Sequence, residues 1–187
     1  MSHDEQFESV VAAAKTGAEW AIASLYREFQ PSLLRYLRAQ APTHGEDLAS
    51  EVWLDAAAGL GRFDGNEAGF RRWLFTIAHR RLIDFRRREQ RRRTILDSLG
   101  PIDAAAADPE AEALIASDAE AALARIASLP PGQAEVVLLR IVAGFDVEEV
   151  SAIVDRTPGA VRVLQHRALK RLSEELARER READVTE

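Results

Sequence analysis

The sequence contains no cysteine, which excludes a disulfide framework and thiolate zinc sites and is compatible with a reducing compartment. Its four histidines, His3, His44, His79 and His166, are scattered without any pair at metal-ligating spacing, so neither a metal nor a cofactor is expected. No apolar run approaches the roughly 20 residues that span a bilayer, and the acidic opening MSHDEQFE is unlike a signal peptide. The chain therefore reads as soluble and cytoplasmic. A phosphate-binding glycine loop and a nucleophile elbow are both missing, which makes an enzyme the least favoured class. Aromatic residues are scarce at 6%, yet 47% of the 187 residues are hydrophobic, much of that alanine and leucine. Such a composition buries a core and favours helices, and the expected fold is all-α.

Charge is unevenly distributed. From Arg71 to Arg93 ten arginines stand against Asp84 and Glu89, a local net charge of +8 within a chain whose total is −6. Segregation of this kind asks for a polyanion. Phe70, Trp73, Leu74, Ile77 and Ala78 recur in the same stretch at i, i+3, i+4, i+7 and i+8, which predicts a helix with one buried face. A folded basic surface with aromatics nearby suits single-stranded nucleic acid. Ile83 falls on the opposite side from Ile77, so the phase predicts a bend, loop or irregular turn near His79 and Arg80.

Ahead of this stretch, Phe7, Val10, Val11 and Ala14 predict a short helix that stops at Gly17. Ile22, Leu25, Tyr26, Phe29, Leu33, Tyr36 and Leu37 predict a second, kinked or split at Pro31. A third spans Glu46 to Leu60, with Leu48, Val52 and Ala56 on one side and Asp47, Glu51 and Asp55 on another. The acidic stripe reads as a solvated face, although Trp53 and Leu54, off the centre of the apolar stripe, are placed to dock a partner. These helices and the arginine-rich one make a compact domain over residues 1–93.

From Thr94 to Ala122 seven acids and no Lys or Arg give a net charge of −7, and Gly100, Pro101 and Pro109 mark a flexible linker, assigned to 94–121. It reads as a solvating spacer, or alternatively as an imitation of nucleic acid that occupies a partner's basic channel or shields the chain's own arginines. A second helical domain follows over 122–180, with a charged tail at 181–187 expected to fray. Within it Asp146 and Glu149 match a capping box, Asp155 and Arg156 form a turn, and Thr157 caps a helix with Pro158 at its first position. That grammar is a helix-turn-helix with Thr157 to Leu172 as its reading helix. Val161, Ala168 and Leu172 face the core, while Arg162, His166, Arg167 and Lys170 line the outside, suited to a major groove and its phosphates.

Taken together, EDLASEVWLDAAAGLGRF followed by GFRRWLFTIAHRRLIDFRRR, and then LPPGQAEVVLLRIVAGFDVEEVSAIVDRTPGAVRVLQHRALKRL, resemble the extracytoplasmic-function (ECF) class of bacterial sigma factors over nearly the whole chain. The resemblance implies a protein that binds core RNA polymerase, directs it to promoters and helps open the duplex. It implies that Asp47, Glu51, Leu54 and Asp55 meet the clamp of the largest polymerase subunit, and that the second domain grips the flap of the second-largest. Arg71, Arg72, Trp73, His79, Arg80, Arg86, Arg87 and Arg88 would then serve the minus-ten element, double- and single-stranded, with His79 and Arg80 where the family captures a flipped base. Thr157, Arg162, Val163, His166, Arg167 and Lys170 would read the minus-thirty-five element. An anti-sigma factor is a further implied partner. Relatives usually carry an apolar residue at the position of Gln165, whereas here Leu164 is the apolar one, which leaves the rotation of the reading helix open. Two other readings remain: an operator-binding helix-turn-helix regulator, and a helical adaptor that binds only proteins.

Overall fold

The computed structural model describes residues 3–98 and 118–186. Residues 99–117, most of the acidic linker, lie outside the described residues, and with them its reading as a nucleic-acid mimic. All regular structure among the described residues is helical: α1 His3–Lys15, α2 Glu19–Gln40, α3 Gly45–Leu60 and α4 Glu67–Ser98 form the first domain. The second comprises α5 Asp118–Ala127, α6 Pro131–Ile141, α7 Val147–Ile153 and α8 Pro158–Thr186.

Two sequence expectations give way in the first domain. Pro31 neither splits nor ends α2, which runs from Glu19 to Gln40 with the proline inside it. The ring forfeits one backbone hydrogen bond, but Ala21, Leu25, Phe29, Leu33, Tyr36 and Leu37 are buried on both sides of it and hold the helix together. Ile22 and Tyr26, expected in that stripe, are instead exposed. Ala21 takes the inward place. Nor is there a bend at His79 and Arg80, because α4 is one helix of 32 residues. Its buried stripe is Phe70, Leu74, Phe75, Ala78 and Leu82. Leu82, not Ile83, continues the 3.6-residue repeat, so the phase never breaks.

Phe70 sits at the centre of the first core. Its ring lies 5.8 Å from Phe7, 5.0 Å from Phe29, 5.3 Å from Phe63 and 5.5 Å from Trp73, so one side chain joins α1, α2, α4 and the turn after α3. Gly59 lets Trp73 approach. A Cβ there would lie 2.9 Å from the indole Cζ2.

The second domain follows the predicted grammar closely. Asp146 Oδ1 accepts from the Glu149 N–H at 2.7 Å, and Glu149 Oε2 accepts from the Asp146 N–H at 2.9 Å, which starts α7. Asp155 turns the chain at φ 51°, a left-handed conformation that Asp tolerates better than most residues. Thr157 Oγ1 then accepts from the Ala160 N–H at 3.2 Å and opens α8 behind Pro158. The charged end of α8 stays helical through Thr186, and Arg125 of α5 pairs with Glu179 at 2.9 Å.

The two domains also pack on each other. Phe145 of the second meets Phe75 of the first edge-on, with ring centroids 5.1 Å apart, and the buried side chains form one continuous core.

Candidate nucleic-acid interface

On the solvent side of α4 lies a groove of about 740 Å³ whose walls include Arg62, Phe63, Arg72, Trp73, Ile77 and Arg80. Arg62, Arg72 and Arg80 are exposed, while Trp73 is half-buried against Phe63, ring centroids 5.2 Å apart and planes 32° from parallel. Cations that hold phosphates thus flank apolar and aromatic surface on which a base can rest, the combination single strands require. Farther along, Arg87 and Arg88 are exposed; Arg87 makes a long pair with Asp84 at 4.0 Å, and Arg88 one with Glu51 at 3.9 Å, its Nε donating to the Asp84 carbonyl at 3.4 Å.

Three residues expected in this set are placed differently. His79 is buried at 8% exposure, so in this conformation it does not present itself to DNA. The cause is that α4 is covered on two sides, with the second domain taking the flank that carries His79. Arg71 and Arg86 are half-buried on the same flank. The Arg71 guanidinium stands 4.8 Å over the Phe145 ring, and Arg86 donates to Gln40 Oε1 at 2.6 Å and pairs with Glu135 at 3.7 Å.

Glu135, absent from the sequence expectations, is the centre of that flank. It is 6% exposed, accepts the Tyr36 hydroxyl at 2.8 Å and contacts His79 Nδ1 at 2.6 Å. An ionised carboxylate only accepts, so Nδ1 carries the hydrogen. Burial pushes the Glu135 carboxyl up, but the His79 hydrogen bond and charge, with Tyr36 and Arg86, outweigh it and leave the group below the ordinary glutamate range. The signal was present in the sequence, since Glu135 is the lone acid in the apolar run of α6.

Burial, followed by the charge and hydrogen bond of Glu135, pushes the Tyr36 phenol well above its ordinary value of 10.0. A raised pKa means that the neutral phenol contributes stability in full below pH 10.0, and that this contribution is lost as pH climbs toward the folded-state value. The chain has two tyrosines, so a Tyr26→Phe variant isolates Tyr36. Ultraviolet titration of that variant should show no phenolate through the ordinary tyrosine range, and phenolate should appear together with loss of the folded circular dichroism signal. Reversible ionisation near the ordinary value in the folded protein would contradict the buried hydrogen bond.

The acidic stripe of α3 is arranged by another residue missed at the sequence level. Arg81 of α4 donates twice to Asp55, each at 2.5 Å, and once to Glu51 at 3.0 Å. The Arg81 hydrogen bond, against a smaller opposing effect of burial, holds the Asp55 carboxyl below its usual range. Asp47 is free of this clamp and exposed, Leu54 is 71% exposed, and Trp53 is half-buried with its Nε1 donating to Gln30 at 2.7 Å. On α8, Val161 and Ala168 are buried and Leu164 and Leu172 pack against the core. Arg162, Val163, His166, Arg167 and Lys170 are all exposed, which fixes the rotation the sequence left open. Arg162 reaches back to Glu148 at 2.9 Å.

The profile of Sigma-70 region 2 matches residues 25–92, and that of Sigma-70 region 4 matches residues 119–172. The chain is 34% identical over 179 residues to the ECF RNA polymerase sigma factor SigD of Mycobacterium tuberculosis, covering 92% of this chain and 84% of that protein. It is likewise 34% identical over 183 residues to the ECF RNA polymerase sigma factor ShbA of Streptomyces griseus, covering 88% and 92%. The chain belongs to the ECF sigma factors. As a sigma factor it directs RNA polymerase to promoters. Its region 2 takes in most of α2, all of α3 and most of α4, and its region 4 holds the helix-turn-helix. Among solved structures, CnrH in complex with the cytosolic domain of CnrY superposes with a TM-score of 0.64 at 23% identity, covering 91% of this sigma factor and 97% of that chain, a likeness of fold. The sigma factor RpoE in complex with the anti-sigma factor NepR from Bartonella quintana gives 0.63 at 25% identity, covering 83% and 96%.

Proposed function

We propose that this sigma factor docks on the clamp of the largest polymerase subunit through Asp47, Glu51, Leu54 and Asp55, and on the flap of the second-largest through its second domain. The arginine-rich helix α4 opens the minus-ten element, and α8 reads the minus-thirty-five element through Thr157, Arg162, Val163, His166, Arg167 and Lys170. Residues 1–93 and 122–180 are the corresponding domains, with 94–121 as linker and 181–187 as tail. The observation that carries this reading is the groove in which Arg72 and Arg80 flank Trp73, because it offers phosphate and base contacts together on one face. The protein makes no bonds itself; synthesis belongs to the polymerase. It acts in the cytoplasm, and an anti-sigma protein is its regulator, as supported by its likeness to RpoE, solved with NepR.

Purified core polymerase and this protein, incubated with a genomic library and followed by mapping of start sites, should yield transcripts from a defined promoter class. On those promoters Arg80→Ala should reduce duplex opening about tenfold, the worth of one good contact, without altering the amount of protein bound to core. Unchanged opening and unchanged minus-ten preference would remove Arg80 from the site. Start sites that do not depend on the protein, with tight operator binding in the absence of polymerase, would favour a conventional regulator.

A further inference from the structure

We propose that Glu135 is the hub of an intramolecular latch: it holds the two domains closed and withdraws one flank of α4 from DNA, so that the free sigma factor inhibits itself. This rests on the reading of α4 as the helix that meets the promoter strand.

The latch is built from donors on one domain and an acceptor on the other. Tyr36 of α2, and His79 and Arg86 of α4, all converge on the carboxylate of Glu135 in α6, at 2.8, 2.6 and 3.7 Å. Beside them Phe145 is wedged between the Phe75 ring and the Arg71 guanidinium. Gly144, at φ +69°, brings the chain close enough that a Cβ there would lie 3.0 Å from Arg71 Nη2. Ala152 of α7 stands on the rim of the groove that holds Arg72, Trp73 and Arg80. Three cationic or basic groups of α4, Arg71, His79 and Arg86, therefore serve the second domain. A guanidinium stacked on Phe145 or turned toward Glu135 is not available to a phosphate at the same time. Closure and strand binding compete for the same side chains.

The chemistry suits a switch more than a permanent seam. A buried carboxylate with hydrogen-bonded partners adds little net stability over its hydrated form, because attraction is offset by desolvation of both sides. Opening rehydrates Glu135, His79 and Tyr36 together, so the polar part of the contact costs little to undo as a unit. Removing one partner alone is different: it strands the others in a dry contact. Glu135→Ala should therefore open the domains while leaving each intact.

The absence of cysteine allows a direct test. Spin labels on Ser50→Cys and Ser173→Cys, both exposed and one in each domain, report the separation by double electron–electron resonance. The full chain should give one narrow short distance. Glu135→Ala should shift it to a broad, longer distribution, and Glu135→Gln, which keeps the size and loses the charge, should lie between. Circular dichroism melting confirms that both variants fold. Identical distributions in all three proteins would overturn the latch.

The second measurement is fluorescence anisotropy with labelled oligo(dT) at low salt. Glu135→Ala should bind about tenfold more tightly than the unaltered chain, as expected when one or two phosphate-binding cations are released. Glu8→Ala, an exposed acid on α1 whose loss changes net charge equally, should not. Longer distances with binding no tighter than the Glu8 control would overturn the shielding. That result would leave α4's promoter role to the polymerase-dependent transcription experiment, which judges it separately.

Discussion

Replacing Phe70 by alanine should destabilise the first domain by about 3–5 kcal/mol, the range for truncating a large buried aromatic. The ring is 1% exposed and meets four other aromatic rings within 6 Å of its centroid. Its removal takes apolar area from water-free contact and leaves a void that no single neighbour can fill. Trp73 reaches the groove surface from this cluster, so loss of its support should also disorder the face proposed for the promoter strand. Chemical denaturation followed by circular dichroism and tryptophan fluorescence measures both effects. Phe70→Leu, which retains much of the volume, should recover more than half of the lost stability. A loss below about 1 kcal/mol for the alanine variant would show that the cluster repacks.

The ring cluster also shows what was legible in the sequence. Phe7, Val11 and Ala14 on α1, and Leu48, Val52 and Ala56 on α3, lie where helical periodicity put them, because each helix has a single buried face. Periodicity failed on α4 because that helix has two. Leu74, Phe75, Ala78 and Leu82 belong to the first domain's core, whereas His79, Arg86 and one side of Phe75 meet the second. A stripe read for one partner looked like a break in phase. Capping chemistry was legible almost without loss at Asp146, Asp155 and Thr157, since a cap is decided within four residues of chain. Glu135 was not legible as a hub, because its partners Tyr36 and His79 are 99 and 56 residues away. No local pattern encodes a contact between domains.

The double substitution Arg162→Ala and Arg167→Ala should abolish selective transcription from promoters that depend on the minus-thirty-five element, by about a hundredfold or more if each contributes 1–3 kcal/mol of contact energy. Both side chains are exposed, one turn and a half apart on α8, and neither supports the core. Melting temperature should therefore hardly move, since Arg162 pairs with Glu148 across the surface and an exposed pair of this kind contributes about 0–1 kcal/mol. Val161→Ala, one residue away but fully buried, should give the opposite pattern of lower stability. Transcription on a mapped promoter, beside one whose activity relies on its minus-ten element, separates recognition from docking on polymerase. Equal activity of the double variant on both promoters would take α8 out of sequence reading.

The family match to region 2 begins at residue 25, yet the ring of Phe7 lies against both Phe29 and Phe70. A fragment cut at that boundary would bare two aromatic faces to water and lose α1 with its buried Val11 and Ala14. The smallest autonomous unit of this half of the protein is thus longer than the stretch that defines its kinship, and the amino-terminal helix belongs to it as a matter of solubility.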